Sequence, residues 1–173
     1  MSLLLTGRPG IGKTTVLRAA AHKLAALHLV GFYTEEIREN RERLGFRLVT
    51  FTGEHAVIAH IRLPPPRVSK YGVDVAAIDR FAVALGHAPG RSAVYLIDEI
   101  GKMECMSQAF VDAVRRLLDN RRPLVATVAQ RGGEFIDEVK RRRDVELWPV
   151  TPTTRDTLPD RIVAWVHAAI RDS

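Results

Sequence analysis

One cysteine, Cys105, stands in the 173 residues. A lone thiol cannot build an internal disulfide framework or a cysteine zinc site, and it suits a reducing compartment. No apolar stretch approaches the roughly 18 residues that a membrane span requires. The N-terminus carries no charged leader or cleavage site, and Ser2-Leu3-Leu4-Leu5 is too short to act as a signal peptide. A cytoplasmic protein without a membrane partner is the expectation. Internal repeats, low-complexity stretches and dividing linkers are all missing from the sequence. The six histidines show no metal-ligand spacing and read as surface or boundary residues. One domain over residues 1–173 follows, since domains of roughly 100–200 residues are the common size.

Hydrophobic residues make up 46% of the chain and charged residues 27%, enough for a sizeable core in an ordinary globular surface. The net charge is +6. Basic residues are spread along the chain, apart from the run Lys140 to Arg143. That run closes a predicted helix, where cations favour the negative end of the helix dipole. A nucleic-acid partner has no support beyond this charge, because no recognised RNA-binding interleaving of aromatic and basic residues is present. A small polyanion such as a triphosphate accounts for the charge equally well.

Hydrophobic periodicity lays out an α/β pattern. Residues 2–6 read as a short buried strand, followed by the loop Gly7 to Gly12. A helix is predicted over about 13–28, with Val16, Leu17, Ala20, Leu24 and Leu27 as its buried stripe. Three strand-like runs follow at 31–38, 44–51 and 56–61. The gaps between them, 39–43 and 52–55, are short and polar, so antiparallel hairpins are expected. Pro64-Pro65-Pro66 marks a loop running to about Gly72, since proline lacks the amide hydrogen. Helix is predicted at 75–85, then a Gly/Pro loop at His87–Ser92. Strand 93–97, helix 107–118, strand 124–128, helix 134–142, strand 145–150 and helix 158–170 complete the chain. The run 93–97 is apolar throughout, as strands covered on both faces are, and 124–128 reads as a further buried strand. The alternation implies a mostly parallel sheet with helices on both faces and an added antiparallel hairpin patch. Trp148 and Trp165 read as core.

Two motifs carry chemistry. Gly7-Arg8-Pro9-Gly10-Ile11-Gly12-Lys13-Thr14 fits glycine, four residues, then Gly-Lys-Thr. It follows an apolar strand and opens an amphipathic helix, which is the context a phosphate-binding P-loop needs. The glycines allow a tight turn that aims amide hydrogens at phosphate oxygens, and the helix N-terminus adds its positive dipole end. Lys13 is expected at the β- and γ-phosphates and the Thr14 hydroxyl on Mg²⁺. Arg8, Pro9, Ile11 and the following Thr15 complete the expected nucleotide-binding stretch. The second motif is the strand Val94 to Ile97 ending in Asp98-Glu99. An acid at such a strand end holds Mg²⁺ in P-loop proteins, which is the role expected of Asp98. Glu99 is placed to take a proton from attacking water.

With both motifs in view, the chain resembles the small P-loop nucleoside-triphosphatase family of thermophilic microbes and animals, the cancer-related nucleoside-triphosphatase family. The resemblance covers almost the whole sequence. It is carried by Gly31 through Arg38, by Gly45-Phe46 and above all by Ile97-Asp98-Glu99-Ile100-Gly101-Lys102-Met103-Glu104. Tyr71 to Asp74, Arg143-Asp144-Val145 and Arg155-Asp156 add support. Thr154 stands where the family often has asparagine, and Ala129–Gly133 matches loosely. The resemblance implies a RecA-like core, Mg²⁺-dependent hydrolysis of NTP to NDP and phosphate, and tolerance of the base across ATP, GTP, CTP and UTP.

Further candidates are less sharply defined. Lys102, just past the acidic strand end, is a candidate for the γ-phosphate, with a loop carbonyl as the alternative. Glu35 or Glu36 is a candidate to orient water or support Mg²⁺, each with a surface hairpin acid as the alternative. Arg67 and Lys70 flank the triproline loop as a candidate lid. Arg155, Arg131 and Arg67 are open as arginines that neutralise transition-state charge. Phe32 and Tyr33 suit base stacking or strand packing. A small nucleoside or polynucleotide kinase using the same loop is the alternative activity. The motifs leave the oligomeric state open.

Overall fold

A computed structural model describes residues 1–86, 93–120 and 122–171; the loop expected over His87–Ser92 lies outside the described residues. The strands are β1 (Ser2–Thr6), β2 (Leu29–Glu39), β3 (Glu42–Thr50), β4 (His55–His60), β5 (Arg67–Val68), β6 (Tyr71–Val73), β7 (Val94–Ile100), β8 (Leu124–Val128) and β9 (Val145–Pro149). The helices are α1 (Lys13–Lys23), α2 (Val75–Gly86), α3 (Gln108–Asp119), α4 (Glu134–Arg141) and α5 (Leu158–Arg171). A single 3₁₀ turn, Glu104–Met106, precedes α3.

Among the described residues the strands join one sheet in the order β5-β6-β4-β3-β2-β7-β8-β1-β9. The half from β2 to β9 is parallel throughout. The strands β3, β4, β6 and β5 extend it antiparallel. This is the expected parallel core with a hairpin patch. All carboxyl ends of the parallel half point the same way, which is where open α/β sheets bind ligands.

Side-chain alternation divides the core by sheet face. Leu3 and Leu5 of β1 join Val94, Leu96 and Val125 under α1 and α5. Leu4 joins Tyr95, Ile97 and Ala126 on the other face, with residues of α2, α3 and α4. Both faces of β1, β7 and β8 are therefore covered, so these strands read as unbroken apolar runs. Each fully buried leucine contributes about 1.5–3 kcal/mol through the water it no longer orders.

Several expectations need correction. Helix α1 stops at Lys23, short of His28, and the chain tightens into three-residue turns: Leu24 bonds back to Ala21 and Leu27 to Leu24. Leu24 and Leu27 still pack on the core from this turn. The β2–β3 hairpin turns on two residues, Asn40 and Arg41, both at positive φ (47° and 69°). That geometry suits the twist of a two-residue hairpin and is normally signalled by Asn-Gly. The segment after the triproline run is not all loop, since β5 and β6 pair within it. Trp148 and Trp165 are only partly buried, and both indoles donate to Glu146.

Gly31 shows why β2 can sit so close to β7. Its φ is +122°, and a β-carbon there would lie 2.0 Å from the Leu96 carbonyl oxygen of the paired strand. Backbone strain and overlap act together, so Gly31→Ala is expected to lower unfolding free energy by about 2–5 kcal/mol. Urea denaturation checks this, and an unchanged midpoint would contradict it.

Candidate functional site

The site forms where β1, β7 and β8 end. After β1 the chain enters the glycine loop. Gly10 (φ 77°) and Gly12 (φ 106°) take left-handed conformations with nothing crowding them, so the backbone turns back sharply into α1. The first turn of α1 contains no acidic residue, and no side chain caps it. Its leading amides are thus left to an external acceptor, at the positive end of the helix dipole. Gly7 is packed against the chain leaving β9; a β-carbon on it would meet the Val150 carbonyl oxygen at 2.8 Å.

Lys13 is 7% exposed. Its ammonium donates to the Gly7 carbonyl at 3.2 Å and lies 3.5 Å from Glu99 Oε2. The loop lysine and the second strand-end acid therefore hold each other. Burial pushes the Glu99 carboxyl above its ordinary value; Lys13 pulls it back down, and neighbouring Asp98 pushes it further up.

Asp98 is completely buried. One of its oxygens accepts from the Thr34 amide at 3.3 Å and the Thr34 hydroxyl at 3.0 Å. The other accepts from the Thr127 hydroxyl at 2.7 Å. Three donors from β2 and β8 thus replace water around a carboxyl group that no solvent reaches. Sequence reasoning missed both threonines. Thr127 left a signal, as the one hydroxyl within the apolar run of β8. Thr34 stands between the aromatic pair Phe32-Tyr33 and the acids Glu35-Glu36, and nothing in that setting points to Asp98.

The remaining candidates fall as follows. Arg8, Pro9 and Thr15 are exposed around the loop, Ile11 is buried beneath it, and Thr14 is half-buried in the first turn of α1. Lys102 is exposed on the turn after β7. Glu36 is occupied by Arg38 and Arg43. Glu35 instead pairs with Arg47 and with Arg18, which stacks on the Tyr33 ring at 4.4 Å. Arg18 lies one turn beyond Thr14, on the same face of α1, so of the two glutamates Glu35 is the one tied to the phosphate-loop helix. Phe32 is buried against Phe110 and Tyr33 packs beside Phe51, so strand packing occupies both rings. Arg67 donates to the carbonyls of Leu63 and Lys70 and braces its own loop. Arg155 pairs only loosely with Asp156 at 3.6 Å, and Arg131 is exposed. The structure brings none of these three arginines to Lys13 or Glu99.

Comparisons with known proteins agree with this geometry. A family model described as NTPase matches residues 2–163. A protein of Thermotoga sp. strain RQ2 named nucleoside-triphosphatase THEP1 is 37% identical, over 95% of this chain and 94% of its own length. The human cancer-related nucleoside-triphosphatase is 35% identical, over 96% and 97%. The crystal structure of THEP1 from Aquifex aeolicus superposes with a TM-score of 0.88 at 33% identity, covering 96% of this chain and 99% of that one.

The Asp98 cradle can be tested directly. Thr127→Val keeps side-chain shape and removes one hydrogen bond to a buried charged group, so it is expected to destabilise the fold by about 1.5–3 kcal/mol. Chemical denaturation measures this. A loss below about 0.5 kcal/mol would mean that the hydroxyl does not support Asp98.

Proposed function

Because the chain belongs to the NTPase family, we propose that it hydrolyses nucleoside 5'-triphosphates to nucleoside diphosphate and phosphate, with Mg²⁺ as cofactor. The observation that carries this reading is the Lys13–Glu99 pair at 3.5 Å, set between the phosphate loop and the strand-end acid. A bound triphosphate competes for Lys13 and leaves Glu99 free beside the terminal phosphate.

The donor set suits Mg²⁺. The Thr14 hydroxyl and the Asp98 carboxyl are hard oxygen ligands, and no cluster of three His, Cys, Asp or Glu side chains forms a metal cage among the described residues. Mg²⁺ is typically held by one or two protein oxygens together with substrate phosphates. Thr14 would hold it directly; Asp98, buried and engaged by Thr34 and Thr127 in the free protein, would join through a water brought in with the ion. When bound, the ion neutralises charge on the phosphate oxygens.

This chain's own groups do the rest. Lys13 and the loop amides bind the β- and γ-phosphates. Glu99 accepts a proton as a water oxygen attacks the γ-phosphorus, and the bond from that phosphorus to the bridging β-phosphate oxygen breaks. The products are NDP and inorganic phosphate. Loop amides already aimed at the phosphates stabilise the spreading charge without reorganising. Lys102 is retained as a second contact to the γ-phosphate. Contacts to the phosphates rather than to the base carry recognition, so ATP, GTP, CTP and UTP are all substrates. The cytoplasm supplies them.

Phosphate release from the four triphosphates, with no added acceptor, tests the proposal. Wild type is expected to turn over all four with Mg²⁺ and to stop when EDTA removes it. Glu99→Gln is expected to lose about 10²–10⁴-fold in kcat, as for removal of a general base. Loss of triphosphate only when a nucleoside acceptor is added would overturn hydrolysis in favour of a kinase. A pH series adds a second check. Glu99 must be deprotonated to act, and its carboxyl lies above the ordinary value of 4.5. The acid limb of kcat/KM, which reports the free enzyme, is therefore expected above that value; a limb at or below 4.5 would count against Glu99 as the base.

A further inference from the structure

The motif that carries Asp98 and Glu99 runs on through Gly101 to Glu104, and the hydrolysis just described leaves Glu104 without a part. Glu104 opens the 3₁₀ turn after β7 and is 6% exposed. The other two acids of the site have partners that explain them: buried Asp98 has its threonines and half-buried Glu99 has Lys13. Among the described residues no cation pairs with Glu104. Its carboxyl is held by the backbone amides of Gly101 and of Glu104 itself.

Gly101 sits between the two glutamates. A β-carbon on it would lie 2.8 Å from Glu104 Oε2 and 3.2 Å from Glu99 Oε1. Both carboxyl groups therefore reach into the same space beside Gly101, the space that any side chain there would fill. A carboxyl so placed, out of water and beside two other acids, keeps its proton.

We propose that Glu104 is a positioning residue of this site, an uncharged carboxyl that braces the turn at Gly101 and so holds Glu99 toward Lys13 and the phosphate loop. This rests on the hydrolytic reading of Glu99. The groups that face Glu104 agree with an uncharged state. Asp98 and Glu99 approach from β7. Asp79 of α2 is taken up by the Ser107 hydroxyl, and Lys13 of α1 is engaged by Glu99 and the Gly7 carbonyl. The buried residues of α3 are apolar. Burial above all, with the charges of Glu99 and Asp98 added and the two amides opposing, pushes the Glu104 carboxyl up to about 8. The adjoining Cys105 thiol is pushed up to about 12, by burial first of all, so it stays protonated.

Two variants of the full chain, Glu104→Gln and Glu104→Ala, separate this role from plain packing. Glutamine reproduces the uncharged carboxyl and its acceptor oxygen, whereas alanine leaves the turn unbraced. The expected kcat at pH 7 is within about threefold of wild type for Glu104→Gln and at least about tenfold lower for Glu104→Ala, with KM for ATP changed less than about twofold in both. Thermal unfolding without nucleotide gives a readout independent of turnover. The folded-state value of Glu104 lies above its ordinary 4.5, so its contribution to stability is complete below 4.5 and is lost as pH rises toward about 8. Glutamine has no such proton to lose. The Tm of Glu104→Gln is therefore expected to rise relative to wild type as pH goes from about 5 to about 8.5.

A Tm difference that is flat with pH overturns the proposal. So does a Glu104→Gln enzyme as slow as Glu104→Ala, because an ionised carboxylate would then be needed. If wild type releases no phosphate at all, the hydrolytic reading falls and takes the positioning role with it, while the Tm series still reports the charge state of Glu104.

Discussion

A carboxyl group with no access to water sits at the end of the central strand β7, and the arrangement of the site follows from satisfying it. Burying Asp98 alone would cost several kcal/mol. The fold meets this cost by flanking β7 with β2 and β8, so that Thr34 of β2 and Thr127 of β8 reach Asp98 from either side. The register that allows this is fixed by the pairing of Phe32 with Ile97 and of Ile97 with Ala126. Slipping either ladder by one residue would turn apolar side chains away from the core and leave Asp98 without donors. The requirement of one residue thus ties sheet register, core packing and site geometry together.

Electrostatics extends the same logic outward. Asp98, Glu99 and Glu104 bring three acids to one strand end, and among the described residues Lys13 is the cation paired there, through Glu99. The free protein balances itself by that single ion pair and by keeping Glu104 protonated. On our reading a triphosphate with Mg²⁺ replaces this internal balance with a more highly charged one. Lys13 moves from carboxylate to phosphate, and the helix amides that no side chain caps acquire their acceptor. The unliganded site is held ready by weak substitutes for the ligand.

Much of this was legible in the sequence, and the limits have physical causes. The phosphate loop declared itself because tight turns and close anion approach demand glycine at fixed spacing, and β1, β7 and β8 because burial on two faces demands apolar runs. The Asn40-Arg41 turn was hidden, since neither residue is the glycine that positive φ usually selects. The strands β5 and β6 were hidden behind three prolines. Lys23 as the end of α1 was obscured because Leu24 and Leu27 stay buried after the helix has ended. Thr127 stood out as a hydroxyl in a buried strand, but its pairing and that of Thr34 with Asp98 were hidden because the three strands are far apart in sequence. The role proposed for Glu104 depends on what surrounds it, and a sequence does not state which charged groups the fold brings to a turn.

The exchange of Lys13 from Glu99 to phosphate is the central claim, and a crystal structure of the wild-type protein with Mg²⁺ and a non-hydrolysable ATP analogue tests it most directly. The account expects the Lys13 ammonium within about 3 Å of a β- or γ-phosphate oxygen, and the Glu99 carboxylate released from it onto a water in line with the γ-phosphorus. A triphosphate bound with Lys13 still paired to Glu99, and with no water between Glu99 and the γ-phosphate, would contradict it.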